Sequence, residues 1–463
     1  MVVREVRRNP HIGLEPVAFL DDDRTKTGKH VHGVPIIGGL NALSAAVETY
    51  QINEVIIAMP TATGKVVRMV TEACRESGIP SRIVPGVFEL LGGNLSVSRL
   101  RQVEISDLLR RQPVTASPGA GMYLAQKRVL VTGAGGSIGC ELSRQIALSN
   151  PSLLVLVGHG ENSIFDVQAT LRQQFPTVHV QAVIADIRDP SRLAACFGNT
   201  KPEIVFHAAA HKHVPLMEEN PEEAITNNVI GTANVVDACT HASVERLVMI
   251  STDKAVSPTS MMGASKRVAE MVVREQARRS GRAFSVVRFG NVLGSRGSVV
   301  PIFKRQIELG GPITITHPEM TRFFMTIPEA VHLVLQAGGL SAGGGELFVL
   351  NMGEPVPIVQ LAEDLVRLSG LSAAEIPVVF TGLRAGEKLE ERLWERDALV
   401  QATAHPEVLR VDEQDPVDLG AVVRALPRLR EAARAGDRMR MEATFAHLVP
   451  SYVPASVQKH LTA

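Results

Sequence analysis

Three glycines spaced three apart, Gly133, Gly136 and Gly139, separate the apolar run RVLV from the helix-like CELSRQIAL. Such a GxxGxxG turn between a strand and a helix brings backbone amides against a pyrophosphate at a helix amino terminus. Ser137 and Ile138 lie inside that turn. A second chemical stretch is Thr252-Asp253-Lys254, which closes the apolar run RLVMIS, with Met262 and Lys266 following at the start of a helical pattern. Asp253 and Lys254 are an acid and a base by type, and a surface ion pair is the plainer alternative. Methionine has no ionisable proton, and Met262 taken alone fits a core position.

The elements that must carry these residues follow from the hydrophobic rhythm. RVLVTGAGGSIG, LLVLVG, VQAVIADI, PEIVFHAAA, RLVMIST and AFSVVRFGN are short apolar runs, most of them separated by amphipathic stretches. That predicts a Rossmann-like, doubly wound parallel sheet of the α/β class. Loops after its first four strands form the cofactor edge: the glycine turn, then Glu161, then Asp186 and Ile187, then Ala208, Ala209 and Ala210. With Asn228 and Lys266 these complete the expected cofactor set. Asp186 reads as a contact for an adenine amino group or as a helix cap before Asp189-Pro190. Val157 and Gly158 stand where an acidic residue would hold an NAD ribose, so the choice between NAD and NADP stays open.

Thr252, Met262 and Lys266 occupy the places of the Ser/Thr, Tyr and Lys of the extended short-chain dehydrogenase/reductase superfamily, which the chain resembles without the tyrosine. STDKAVSPTSMMGASKR, FHAAAHKHVPLMEENP, VRFGNVLGSRGSVVPIF, THPEMTRFFMTIPEAV and GLRAGEKLEERL look like one branch of it. That branch is the large, methionine-bearing UDP-N-acetylglucosamine 4,6-dehydratases of bacterial polysaccharide biosynthesis. Ala385 and Glu390 depart from it, where proline and tyrosine are more usual. The resemblance implies a hydro-lyase that oxidises a UDP-sugar at carbon 4, eliminates water across carbons 5 and 6, and returns the hydride. It further implies Asp253 as acid, Lys254 as base, Thr252 as a hydrogen-bond partner of the carbon 4 hydroxyl, and Lys266 on the nicotinamide ribose. The group that takes the hydroxyl proton is left open. A nucleotide-sugar 4-epimerase and a non-catalytic nucleotide-binding regulator are the rival readings.

After about Gly290 the pattern turns irregular, which predicts a smaller substrate-binding lobe. Asn291, Arg296, Arg322, Arg384 and Glu387 fall there, and planar guanidinium forks suit a diphosphate. Each arginine fits a solvated surface equally well when taken singly. Lys212 and His213 could border the sugar. Their neighbours His207 and His211 come without acidic or cysteine ligands, so no metal is expected.

The chain's 463 residues imply more than one domain. The expected division is a truncated α/β domain over 1–115, a catalytic domain over 116–400 and a helical extension over 401–463. The connection is placed in the Pro-, Gly- and Ala-rich residues 110–126. The first domain opens on the helix-like VREVRRNP with no strand before it, and FLDDDRTKTGKHVHGVPIIGG looks like the soluble domain preceding the catalytic one in membrane-anchored members. A longer product with upstream membrane helices, at the cytoplasmic face of the inner membrane, is therefore expected. Lys+Arg and Asp+Glu both number 48, which argues against nucleic acid as a partner. Cys74, Cys140, Cys196 and Cys239 form no metal-spaced cluster and fit a reducing cytoplasm. A homo-oligomer is expected.

Overall fold

A computed structural model describes residues 2–9, 13–84, 101–109, 121–413, 418–455 and 457. It forms two compact units, one of residues 1–116 with 363–373 and one of 117–362 with 374–463. Most of the connection expected at 110–126 lies outside the described residues, which resume at 121.

In the first unit the opening helix, Val2–Arg8, buries Val3 and Val6. Phe19–Leu20 runs parallel to Val34–Gly38, whose other edge pairs antiparallel with His30–Val31. In a separate small sheet Val55–Ile57 is parallel to Ser81–Ile83, and Arg101–Gln102 is antiparallel to the latter. The helix Gly64–Glu76 buries Val67 and Cys74 one face apart from its charged residues.

The second unit is built on a nine-stranded sheet. Its strands are β1 (Arg128–Thr132), β2 (Leu153–Gly158), β3 (Val180–Ile184), β4 (Ile204–His207), β5 (Arg246–Thr252), β6 (Ala283–Phe289), β7 (Leu347–Leu350), β8 (Leu399–Ala402) and β9 (Val408–Asp412). The spatial order is β8-β9-β7-β6-β5-β4-β1-β2-β3. β1 to β7 are mutually parallel, and β9 and β8 add an antiparallel hairpin at one edge. Four consecutive residues of β1, Val129 to Thr132, are fully buried, as a strand covered on both faces requires. Connecting helices include α1 (Ser137–Leu148), α2 (Glu161–Gln174), α3 (Pro190–Thr200), α4 (Thr232–His241) and α5 (Met261–Ser280). The strand order reverses between β1 and β4, which makes the crevice beyond their carboxyl ends the natural ligand site.

Short pairings build the smaller lobe. Asn291–Val292 lies beside Phe324–Met325, Ile313–Ile315 beside Val378–Phe380, and Thr321–Arg322 beside Val356–Pro357. Residues 401–463 are not purely helical as the sequence reading had them. The hairpin β8–β9 straddles the expected boundary at 400, because Val408 and Val411 bury against the main sheet, and only then do α6 (Leu419–Arg434) and α7 (Arg438–Leu448) follow. No helix among the described residues is long and apolar enough to cross a membrane.

Candidate active site

The glycine turn at the end of β1 is shaped by close approach. Gly133 has φ +67°, and a Cβ there would stand 2.6 Å from the Ala209 nitrogen, so β1 and the loop after β4 touch backbone to backbone. A Cβ on Gly139 would collide with the Gly133 carbonyl, which lets α1 start directly against the turn. Gly136 is the cap residue of α1 and offers no side-chain acceptor, leaving the helix amino terminus, with Ser137 and Ile138, open to an anion. This cradle fits a dinucleotide pyrophosphate.

The remaining cofactor-side residues are less uniform. Both Asp186 carboxylate oxygens accept from the Arg188 guanidinium, at 2.7 Å for the shortest bond, and this partner holds Asp186 below the usual carboxylate range. Asp189, not Asp186, caps α3, accepting from the Arg192 nitrogen at 3.0 Å. Glu161 is exposed at the start of α2. Ile187 packs against Gly231, where a Cβ would stand 2.6 Å from it. Asn228 belongs to a π-helical turn, Ala224–Gly231, and spends its amide inside the protein: it accepts from the His211 nitrogen and donates to the His211 carbonyl and the Ser265 hydroxyl. It ties the loop after β4, which carries Ala208, Ala209 and Ala210, to α5. His207 is buried between the hydroxyls of Thr132 and Thr232, and burial, then Lys266, lowers it to about 3. It is a neutral spacer under the cradle. Among the described residues no group of three or more His, Cys, Asp or Glu could hold a metal ion.

The reaction loop is assembled where β5 ends and α5 begins. Ser260 caps α5 by accepting from the Gly263 nitrogen, which fixes Met262 and Lys266 one turn apart. Met262 is 2% exposed. Lys266 donates to the Ile250 carbonyl at 2.7 Å, and burial lowers it to about 8, with Glu270 opposing. Asp253 is completely buried. Its Oδ1 accepts from the Thr252 hydroxyl at 2.8 Å and from Lys254 Nζ at 2.9 Å. Its Oδ2 is buried against Gly290 with no hydrogen-bond partner among the described residues. Lys254 Nζ also donates to Asn291 Oδ1 at 3.0 Å. A surface ion pair is thereby excluded, since the carboxylate has no exposure and the lysine side chain retains 21%.

One cleft of about 250 Å³ has Lys254 and Asn291 in its wall together with Lys212, His213, Arg322, Arg384 and Glu387. Lys212 donates to the Ser295 hydroxyl at 3.2 Å, and burial, then the nearby Lys254, lowers its pKa. Arg322, 8% exposed, donates to the carbonyls of Thr321, Lys388 and Leu389. Its guanidinium holds the loop that bears Arg384 and Glu387. Arg296 is elsewhere: its nitrogen donates to the Ser137 hydroxyl and its guanidinium to the Gly135 carbonyl at 3.3 Å, on the glycine turn.

Several contributors escaped the sequence reading. Lys388 donates to the Val256 carbonyl at 2.8 Å and Thr259 to the Gly386 carbonyl at 2.9 Å, joining the late loop to the reaction loop. Glu395 accepts from the Ser257 nitrogen and hydroxyl at 2.7 and 2.5 Å. Beneath them Glu270 accepts from Ser251 and Arg288, and Glu413 from Arg288 and Arg267. The motif GEKLEERL marked the first of these regions, but spacing alone does not announce contacts across 132 residues.

A doubly wound α/β fold with a glycine-turn cradle and a Thr-Asp-Lys reaction loop defines a short-chain dehydrogenase/reductase-type nucleotide-sugar enzyme scaffold. The chain belongs to the family described as Polysaccharide biosynthesis protein, which matches residues 129–413, while residues 1–85 match a family described as CoA-binding domain. Probable polysaccharide biosynthesis protein EpsC of Bacillus subtilis is 44% identical over 95% of this chain and 74% of its own. The inverting UDP-N-acetylglucosamine 4,6-dehydratase of Campylobacter jejuni is 35% identical over 58% of this chain and 77% of its own. A UDP-glucose 4-epimerase of Rickettsia bellii is 34% identical over 60% and 80%. Among solved structures, Pen from Bacillus thuringiensis superposes with a TM-score of 0.57 at 32% identity, covering 62% of this chain and 90% of that one.

Proposed function

We propose that the protein is a nucleotide-sugar 4,6-dehydratase acting on UDP-N-acetylglucosamine and forming a UDP-4-keto-6-deoxy amino sugar for polysaccharide assembly. The observation that carries this reading is the buried Asp253 beside Lys254, with Lys254 and Asn291 in the wall of a cleft that also presents Lys212 and Arg384 to an anionic substrate. NAD or NADP, held by the glycine turn and Lys266, would supply reversible hydride acceptance. Thr252 binds the carbon 4 hydroxyl. Once carbon 4 is a ketone the proton on carbon 5 is acidic, and Lys254 takes it while Asp253 protonates the departing carbon 6 hydroxyl. Met262 excludes water from the place a phenol would fill.

The epimerase reading is favoured by the Rickettsia relative, yet an epimerase cycle makes no use of a second base next to an acid. Incubation with UDP-N-acetylglucosamine in deuterated water, followed by mass spectrometry, separates the two. The dehydratase loses one water and gains solvent deuterium at carbon 5. An isomeric product of unchanged mass without exchange at carbon 5 would sink the dehydratase assignment.

A further inference from the structure

We infer that Glu218, locked by Arg438 of the terminal helix α7, is a positioning residue for hydride transfer, setting the amino end of α5, and with it Met262 and Lys266, from outside the reaction loop. This rests on the proposed cofactor chemistry at the site but not on the elimination that follows it.

The first backbone amides of a helix have no partner within it. In α5 the Gly263 nitrogen is met by Ser260, and the Met261 nitrogen is met at 2.6 Å by Glu218 Oε1, which reaches across 43 residues of chain from the short helix Val214–Glu219. A charged carboxylate is the stronger acceptor for such an amide and suits the positive end of the helix. Glu218 is 7% exposed, and burial pushes it above the usual carboxylate range, opposed by the Met261 amide and by Arg438. A buried carboxylate holds its charge best beside a hydrogen-bonded cation. Arg438 meets it twice, with Nη2 donating to Glu218 Oε2 at 2.9 Å and Nη1 to the Glu218 carbonyl at 2.7 Å.

Arg438 is itself fixed. Asp437 caps α7 by accepting from the Arg440 nitrogen, Glu442 accepts from Arg438 Nε at 2.7 Å, and Met441, Phe445 and Leu448 are buried along the same helix. Beyond α7 the Tyr452 hydroxyl donates to the Met261 sulfur at 3.2 Å and the Val453 nitrogen to the Pro258 carbonyl at 3.1 Å. The stretch from Pro258 to Met261, which joins the reaction loop to α5, is therefore gripped from the far end of the chain. Lys266 lies less than two turns beyond Met261, so a shift of the helix start is passed to its ammonium.

The test titrates variants of the whole chain with NAD and with NADP by calorimetry. Each is then mixed with UDP-N-acetylglucosamine in single turnovers that follow the near-ultraviolet absorbance of the reduced cofactor. Glu218→Ala and Arg438→Met should each weaken cofactor binding by about tenfold and slow reduction by about 10–100-fold. Glu442→Gln, which spares the Arg438–Glu218 pair, should stay within about twofold of the wild type. Glu218→Ala combined with Arg438→Met should be no worse than Glu218→Ala alone, because the arginine acts through the carboxylate. Where Glu218→Ala does not fold, Glu218→Gln carries the same comparison, since it keeps an acceptor for the Met261 nitrogen but sets an amide against Arg438. Variants that melt earlier yet bind and reduce the cofactor as the wild type does would overturn the inference, leaving Glu218 a tie for stability alone. Losses that add in the double variant would overturn it as well, because Arg438 would then act by another route. A wild-type chain that binds its cofactor and never reduces it with this sugar defeats the substrate reading alone, and the cofactor affinities still decide the role of Glu218.

Discussion

Lys254 Nζ lies 3.0 Å from Asn291 Oδ1 and 2.9 Å from Asp253 Oδ1, so the amine is held between an amide acceptor and a carboxyl acceptor. Two fixed hydrogen bonds aim its remaining valence, and the amide contributes direction without adding charge.

Asn291→Ala should therefore lower kcat by about 10–100-fold with KM changed little, the signature of a misdirected base. Asn291→Asp keeps an acceptor in place but sets a carboxylate against Lys254 Nζ instead of an amide, so kcat should again fall by about 10–100-fold, which steady-state rates read directly.

Gly139→Ala should abolish cofactor retention, because its methyl group meets the Gly133 carbonyl and prises α1 from the turn. Arg296→Ala should weaken cofactor binding by about tenfold while leaving UDP affinity nearly unchanged, since the guanidinium sits at Gly135. Calorimetric titration with each ligand checks both, and a loss confined to UDP would return Arg296 to the substrate side.

Lys266, lowered to about 8 by burial, carries its charge below that pH and loses it above. Cofactor reduction that depends on this charge should fall as pH rises through about 8, and Lys266→Arg should remove that limb. Stability moves the other way. Between about 8 and the ordinary lysine value of about 10.4 the unfolded chain binds the extra proton, so this group makes the cofactor-free protein more resistant to urea as pH rises through that window.

Glu413 is held at about 2 by Arg288 and Arg267 despite its burial. Its folded value lies below the unfolded one, so the stability it contributes is complete above about 4.5 and is lost as pH falls toward about 2. Glu413→Gln should flatten that acid limb. Glu413→Ala should destabilise the catalytic unit by about 3–5 kcal/mol, because Arg288 and Arg267 keep their buried charges with one carboxylate between them. Urea unfolding at several pH values measures both.

The parallel strands were legible because each is a short apolar run with a turn behind it, and the reaction loop because its residues are neighbours in the chain. Thr252, Asp253 and Lys254 need no fold to bring them together. Arg322 and Arg296 were harder. A guanidinium reads as a phosphate ligand wherever it occurs, and only the fold reveals that Arg322 spends its donors on carbonyls while Arg296 crosses to Gly135. The hairpin β8–β9 was missed since Leu399 and Gln401 face outward and blur its alternation. Asn228 gave no signal of its ties to His211 and Ser265, which depend on a π-helical turn that local pattern does not encode.

Arg288 meets Glu413 across 125 residues of chain, and Arg267 meets it across 146. On the ribosome both arginines emerge long before that carboxylate exists, with Glu270 as the acid then available to them. The floor under the reaction loop cannot neutralise itself until synthesis has passed the ninth strand, so a nascent chain halted earlier would hold its substrate cleft but not a settled catalyst.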